Sequence, residues 1–305
     1  MNVLVAGHSG FLGTHLTRAL GSVFTIQKVS LRDNAWEKTT ENTDVYINLI
    51  GKAHDHNKTG NLKDYHNSNV ASTKALYRSF LKSKATLFIQ VSSIAAVEEI
   101  ESEEPITELS TCHPISFYGK TKKQAENWLL NHTPNNQKKL IILRPVMVHG
   151  ENDKGNLKLL YKLISKGVPY PFMKFNNKRS LLAVENFNFI VKQIILNQEK
   201  IPSGIYNLCD DEAIATKEII LAIERVTHKK VLKLGLPRLL VIKGSKLLDV
   251  VHLQVNSTQI KKLTSNLVVS NEKLKQALGV ANLPINALEG IIKTVRHLHN
   301  HHTMH

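Results

Sequence analysis

Tyr118 and Lys122 stand four residues apart in the stretch FYGKTKKQAENW. On a helix four residues is one turn, so the phenol and the ammonium share a face. A free tyrosine titrates near about 10, too high to exchange protons at neutral pH. A cation one turn away stabilises the phenolate and brings the group within reach of acid/base work. A second constellation opens the chain: Gly7, Gly10 and Gly13 follow directly on the apolar run NVLVA. Glycines there permit a tight turn and close approach of backbone to a pyrophosphate. The N–H groups of Phe11 and Leu12, at the start of the helix that follows, are free to bind it.

The next apolar run, FTIQKVSL, bears on the choice of dinucleotide. An acidic side chain at the end of a second strand accepts hydrogen bonds from the adenosine ribose of NAD; an arginine suits the 2′-phosphate of NADP. Arg32 is basic and Asp33 comes one residue later. NADP(H) is favoured over NAD(H), with the alternative that Asp33 turns in to hold NAD.

These groups need a scaffold, and its elements are legible. Apolar runs at residues 2–7, 44–51, 85–93 and 139–150 read as strands. Residues 65–83 and 118–131 between them read as helices. Alternating strands and helices predict an α/β fold, a Rossmann-type doubly wound parallel sheet. Past Gly150 the pattern changes to a polar turn, a helix over 157–166, and helices and short strands to the end. The expected division is a dinucleotide-binding domain, 1–150 joined by 184–209, and a smaller interleaved substrate-binding domain, 151–183 with 210–305.

The chain has 305 residues, 42% hydrophobic, with a net charge of +15. That charge favours anionic partners. The lysines are scattered along the chain and no nucleic-acid motif occurs, so no nucleic-acid partner is expected. Two cysteines, Cys112 and Cys209, imply no disulfide framework and fit a reducing compartment. The opening MNVLVAGHSG lacks the pattern of an export signal, and a cytoplasmic location is the expectation. No apolar run is long enough to cross a membrane. Leu236 to Val255 form an amphipathic, basic segment, read as domain packing or as a membrane or partner contact. Five histidines fall between His297 and His305. They read as a frayed polar terminus, with a metal site as the alternative, and no metal is expected in the active site.

The order of these pieces resembles the extended short-chain dehydrogenases/reductases of the nucleotide-sugar epimerase/dehydratase group. GHSGFLG, INLIGKAH, VSSIAAV, YGKTKKQAE, LRPVMVHG, NKRSLLAVEN and GIYNLCDDE carry the resemblance, in family order, over residues 2–213. The last ninety or so residues match loosely. The resemblance implies that Tyr118 is the acid/base, that Lys122 tunes it and holds the nicotinamide ribose, and that Ser93 bonds the reacting sugar oxygen. It gives Ser92 a sheet-end role. Asn69 would support Lys122, or is an ordinary helix asparagine. Arg179 and Asn156 would hold the substrate diphosphate, and Tyr170 to Phe172 the uracil. His149 would pack against the cofactor pocket. A homodimer is usual among such proteins.

Two departures matter. The dehydratases of this group place Asp-Glu after the strand-end hydroxyl, whereas Ile94 and Ala95 follow Ser93, so 4,6-dehydration is not expected. Lys52 adds a charge near the nicotinamide end, either touching a phosphate or pointing outward. The expected activity is oxidoreduction at C4 of a UDP-hexose or UDP-N-acetylhexosamine in surface polysaccharide synthesis. A 4-keto sugar reductase is favoured. A 4-epimerase with tightly bound NAD is the alternative, and a non-catalytic dinucleotide sensor a remote third.

Overall fold

The structure is a computed structural model; it describes residues 1–33, 36–40, 42–53, 61–134, 137–152, 155–171, 173–235 and 257–303. Six parallel strands form the main sheet: β1 (Asn2–Ala6), β2 (Thr25–Val29), β3 (Val45–Asn48), β4 (Leu87–Val91), β5 (Lys139–Pro145) and β9 (Gly204–Leu208). Their spatial order is β2-β1-β3-β4-β5-β9. The chain leaves β1 in one direction to form β2, then crosses back to build β3 on the other side. That reversal opens a crevice beyond the carboxyl ends of β1 and β3, the place where open α/β sheets take ligands.

Both sheet faces are covered, which is why runs such as residues 3–6, 45–47, 87–89 and 140–143 are apolar on consecutive residues rather than alternately. Val3, Val5, Val45, Ile47, Ile89 and Leu143 pack on one face with α1 (Phe11–Leu20) and α6 (Val184–Leu196). Leu4, Tyr46, Phe88 and Ile142 face the other side, against α3 (Ser72–Lys82) and α4 (Phe117–Leu130). Adjacent residues of one strand thus serve different layers, the period-two geometry of a pleated strand.

The helix expected over 65–83 is in three parts. It starts earlier, as α2 (Leu62–His66), because Asn61 and Asp64 form a capping box. A π-helical turn, Asn67–Ala71, then joins it to α3. The strand expected over 139–150 is two. Pro145 has no N–H to extend the ladder, and β6 (Met147–His149) leaves the main sheet to pair with β8 (Leu181–Ala183).

A separate apolar cluster unites α5 (Asn156–Ser165), α7 (Thr216–Thr227) and α10 (Ala287–Thr303) through Leu157, Tyr161, Ile220, Ile223, Ile291 and Val295. The short strands β7 (Lys178–Arg179) and β10 (Ile214–Ala215) pair beside it. Two further helices, α8 (Ser257–Thr264) and α9 (Glu272–Leu278), precede α10. The histidine-rich end is helical rather than frayed as far as Thr303, because α10 turns Leu298 inward. Segment 236–255 lies outside the described residues, as does Phe172. Among the described residues no helix is long and apolar enough to cross a membrane, and no group of three or more His, Cys, Asp or Glu is placed to hold a metal ion.

Candidate active site

Two loops meet at the crevice. Gly7, at φ +86°, makes the turn after β1 in a region that side chains disfavour. A Cβ on Gly7 would lie 2.9 Å from the backbone of Leu49 and Ile50 after β3. A Cβ on Gly13 would lie 2.3 Å from Gly7 O, so α1 can sit this close to the turn only with glycine there. Gly10 is the N-cap residue of α1 and supplies no side-chain cap. The first-turn N–H groups at Phe11 and Leu12 are therefore without a side-chain acceptor at the helix's positive end, and the residues present fit a dinucleotide pyrophosphate. Arg32 is exposed in the turn after β2, and Asp33 N donates to Ser30 O in the same turn.

The chemistry-bearing residues gather at the ends of β3 and β4 and the start of α4. Ser116 caps α4, accepting Gly119 N–H at 3.0 Å. That fixes the first turn, where the half-buried Tyr118 lies. Ser93, extended just beyond β4, accepts Ala95 N–H at 3.2 Å. Lys122 is 4% exposed and donates to Val91 O at 2.9 Å and to Ile50 O at 3.4 Å. Its ammonium ties the ends of the two strands together. Burial lowers the Lys122 pKa to about 8, while the Glu126 carboxylate works the other way. Burial raises the Tyr118 phenol above its usual range; a hydrogen bond with Ser93 opposes the rise and the charge of Glu99 adds to it.

Asn69 is fully buried in the π turn. Its Oδ1 accepts Lys52 N–H at 2.8 Å and its Nδ2 donates to Thr121 Oγ1 at 2.8 Å. It so holds the strand-end loop against α4 beside Lys122. Such π insertions recur at functional sites because they redirect one side chain. Lys52 Nζ is ion-paired with Asp64 at 3.4 Å and lies over the Tyr65 ring, which settles its orientation.

Two readings from sequence, those for His149 and Phe172, end up elsewhere or out of view. His149 packs against α10, not the cofactor crevice: its Nδ1 is 2.9 Å from Thr294 Oγ1. The cause is that β6 has left the main sheet. Burial lowers its pKa to about 4, so the ring is neutral. Thr294 donates to Gly290 O, so His149 Nδ1 carries the proton, and its buried Nε2 has no hydrogen-bond partner among the described residues. Asn156 opens α5, and Phe172 lies outside the described residues. Arg179, in β7, reaches the loop after Ser93. Its guanidinium donates to Ile100 O at 3.0 Å, to Lys262 O at 2.9 Å and to Ser265 O at 3.4 Å. Burial lowers its pKa to about 10, which leaves it charged at neutral pH among neutral carbonyls. A groove of about 750 Å³, lined in part by Ser102, Lys174, Asn176 and Asn266, adjoins Ser265.

Sequence reasoning placed neither of two further carboxylates at the site. Glu126 is fully buried, accepts Ser92 Oγ–H at 2.6 Å, and takes Arg144 bidentately at 3.0 and 2.7 Å. The four-residue spacing from Lys122 was its only signal. Glu99 accepts the N–H groups of Ile115 and Ser116 at 3.1 and 2.8 Å, which braces the entry to α4. Nothing in the linear spacing announces that contact.

A doubly wound sheet, a glycine cradle at its switch point, and Ser93, Tyr118 and Lys122 at the neighbouring strand ends define a dinucleotide-dependent class. Residues 3–209 match the NAD dependent epimerase/dehydratase family, and the chain belongs to it. It is 26% identical to a UDP-glucose 4-epimerase of Vibrio cholerae, over 91% of this chain and 90% of that one. It is also 26% identical to an N-acetyl-alpha-D-glucosaminyl-diphospho-ditrans,octacis-undecaprenol 4-epimerase of Escherichia coli O157:H7, over 97% and 95% of the two chains. Its fold matches a UDP-glucuronic acid 4-epimerase of Bacillus cereus, solved with UDP-glucuronic acid and NAD. That match has a TM-score of 0.78 at 18% identity and covers 98% of this chain and 99% of the other.

Proposed function

We propose that the protein is a 4-epimerase of a hexose or N-acetylhexosamine carried on a diphosphate, with UDP-sugars as the first substrates to test. The observation that carries the reading is the group at the strand ends: Ser93, Tyr118 and Lys122 together, with Ile94 and Ala95 beside them. Tyr118 takes the O4 proton as C4 is oxidised and returns it as C4 is reduced. Ser93 orients O4. Lys122 supplies a fixed positive charge that favours the phenolate. Ile94 and Ala95 have no group to remove a ring proton or protonate a leaving hydroxyl, so the keto sugar is not diverted to elimination. A nicotinamide dinucleotide, when bound, supplies the hydride acceptor and donor. Gly7, Gly10, Phe11, Leu12 and Gly13 would hold its pyrophosphate.

The substrate side of the reading rests on Arg179 and Asn156, assigned to the diphosphate, with residues 170–172 against the base. It also rests on a division of labour between 1–150 with 184–209 and the remainder. Both full-length relatives act at C4, which supports inversion over net reduction. A cytoplasmic site fits the two unpaired cysteines.

Incubation with UDP-glucose or UDP-N-acetylglucosamine should yield the C4 epimer, seen by chromatography or NMR, with no net change in reduced nicotinamide. The second reading, a 4-keto reductase, is favoured by Arg32, which suits an exchangeable NADPH. Consumption of one NADPH per UDP-4-keto sugar, without interconversion of the epimer pairs, would decide for it.

A further inference from the structure

The lysines scattered along the sequence are gathered by the fold. Helix α5 buries Leu157, Tyr161 and Ile164 against α7 and α10. Its other face shows Leu159 and Leu163 at 57% and 41% exposure, with Lys162 and Lys166 beside them. The apolar surface continues past the helix end. Val168, also 41% exposed, donates its N–H to Leu163 O. Tyr170 is hydrogen-bonded through its backbone to Leu232 and Leu234, which are 62% and 38% exposed. Lys229 Nζ reaches Ser165 O at 3.1 Å and closes the two segments together. Exposed leucines are ordinary singly; five large apolar side chains on two joined segments are a patch.

Its charge identifies what fits it. Residues 156–175 and 228–235 contain seven lysines and no aspartate or glutamate. Lys233 is paired with Glu224 at 2.6 Å, Lys230 lies in the field of the same carboxylate, and Lys174 lines a groove with Glu101 and Glu103; Lys158, Lys162, Lys166 and Lys229 leave α5 and the segment beside it positive. A second copy of the chain, docked by a two-fold axis, would set lysines against lysines. Residues 236–255, which follow in sequence, carry Arg238, Lys243 and Lys246 against Asp249 alone, so their charge adds to that of the patch rather than offsetting it. An anionic lipid surface does. Leucines enter the acyl boundary while lysine stems lie along it and their ammonium groups meet headgroup phosphates.

We propose that the face formed by α5 and residues 168–170 and 229–234 docks the protein peripherally on an anionic phospholipid bilayer. The inference is independent of which sugar is epimerised. It adds that the substrate half works against a membrane surface, without spanning it.

The test is co-sedimentation of the full chain with phosphatidylcholine vesicles, with and without phosphatidylglycerol. Binding is expected to the anionic vesicles alone and to weaken as salt rises. Lys162→Glu/Lys166→Glu and Leu159→Ser/Leu163→Ser should each reduce partitioning about ten-fold or more. The altered side chains are exposed, so the circular dichroism spectrum and thermal midpoint should hold. Absence of binding to anionic vesicles overturns the proposal. So does equal binding to neutral vesicles, or undiminished binding by folded variants, which would move the contact to another surface. So, too, does a wild-type dimer that ignores vesicles and that Leu159→Ser/Leu163→Ser dissociates in the ultracentrifuge. None of these outcomes bears on epimerase activity, which is read separately.

Discussion

Lys122 Nζ stands 5.9 Å from the centroid of the Tyr118 ring while donating at 2.9 Å to Val91 O. One helical turn brings the two groups to the same side of α4, but the ammonium is anchored to the sheet rather than left to follow the phenol. If Tyr118 loses its proton, a charge fixed this way would act on the phenolate through space at no cost of reorganisation. It also depends on the ends of β3 and β4 staying in register.

Tyr118→Phe should abolish turnover and leave dinucleotide affinity within a few-fold. A positioned acid/base contributes roughly 10²–10⁴-fold. Steady-state rates and a cofactor titration check it; a variant retaining a tenth of the wild-type rate would remove Tyr118 from the role.

Glu99→Gln should move the acidic limb of the kcat/KM profile to lower pH. The sign follows from the charge: the Glu99 carboxylate raises the Tyr118 pKa, so removing it lets the phenolate form more readily. Activity that requires a deprotonated Tyr118 would then appear at lower pH. A limb that stays put, or moves upward, shows that Tyr118 is not the titrating base.

Glu126→Gln should lower unfolding stability by roughly 3–5 kcal/mol, because it strands a buried arginine without its counter-charge. Arg144 is 1% exposed and its bidentate partner is Glu126. Urea denaturation measures the loss. The double variant Glu126→Leu/Arg144→Met should recover part of it, since neither member of the ion pair is then left without its counter-charge, although the buried Lys122 still loses Glu126.

Arg32→Ala separates the two coenzymes. If the guanidinium meets a 2′-phosphate, wild type binds NADPH more tightly than NADH. A charge-assisted contact of about 1.5–3 kcal/mol makes that gap ten-fold or more. The substitution should erase most of it, as fluorescence titration would show. A wild-type preference for NADH would point instead to Asp33.

The sequence by itself determined the sheet and the residues gathered at its strand ends. Strands buried on both faces are apolar over consecutive residues, glycines are forced where backbone meets backbone, and a helix converts a four-residue spacing into a shared face. Each of these is a local constraint, written in neighbouring residues. Gly7, Gly13, Tyr118 and Lys122 were legible for that reason. What only the tertiary structure decided depends on residues far apart in the chain. Glu126 meets Arg144 across eighteen residues, and Arg179 meets Ile100 and Ser265 across nearly eighty and more. Glu99 reaches the start of α4, and His149 faces α10 because Pro145 ends one ladder and frees the chain to begin another. The lysine and leucine face of α5 belongs with these. Residues 159–168 and 229–234 become one surface through backbone hydrogen bonds at Tyr170, a pairing that no periodicity within either segment encodes.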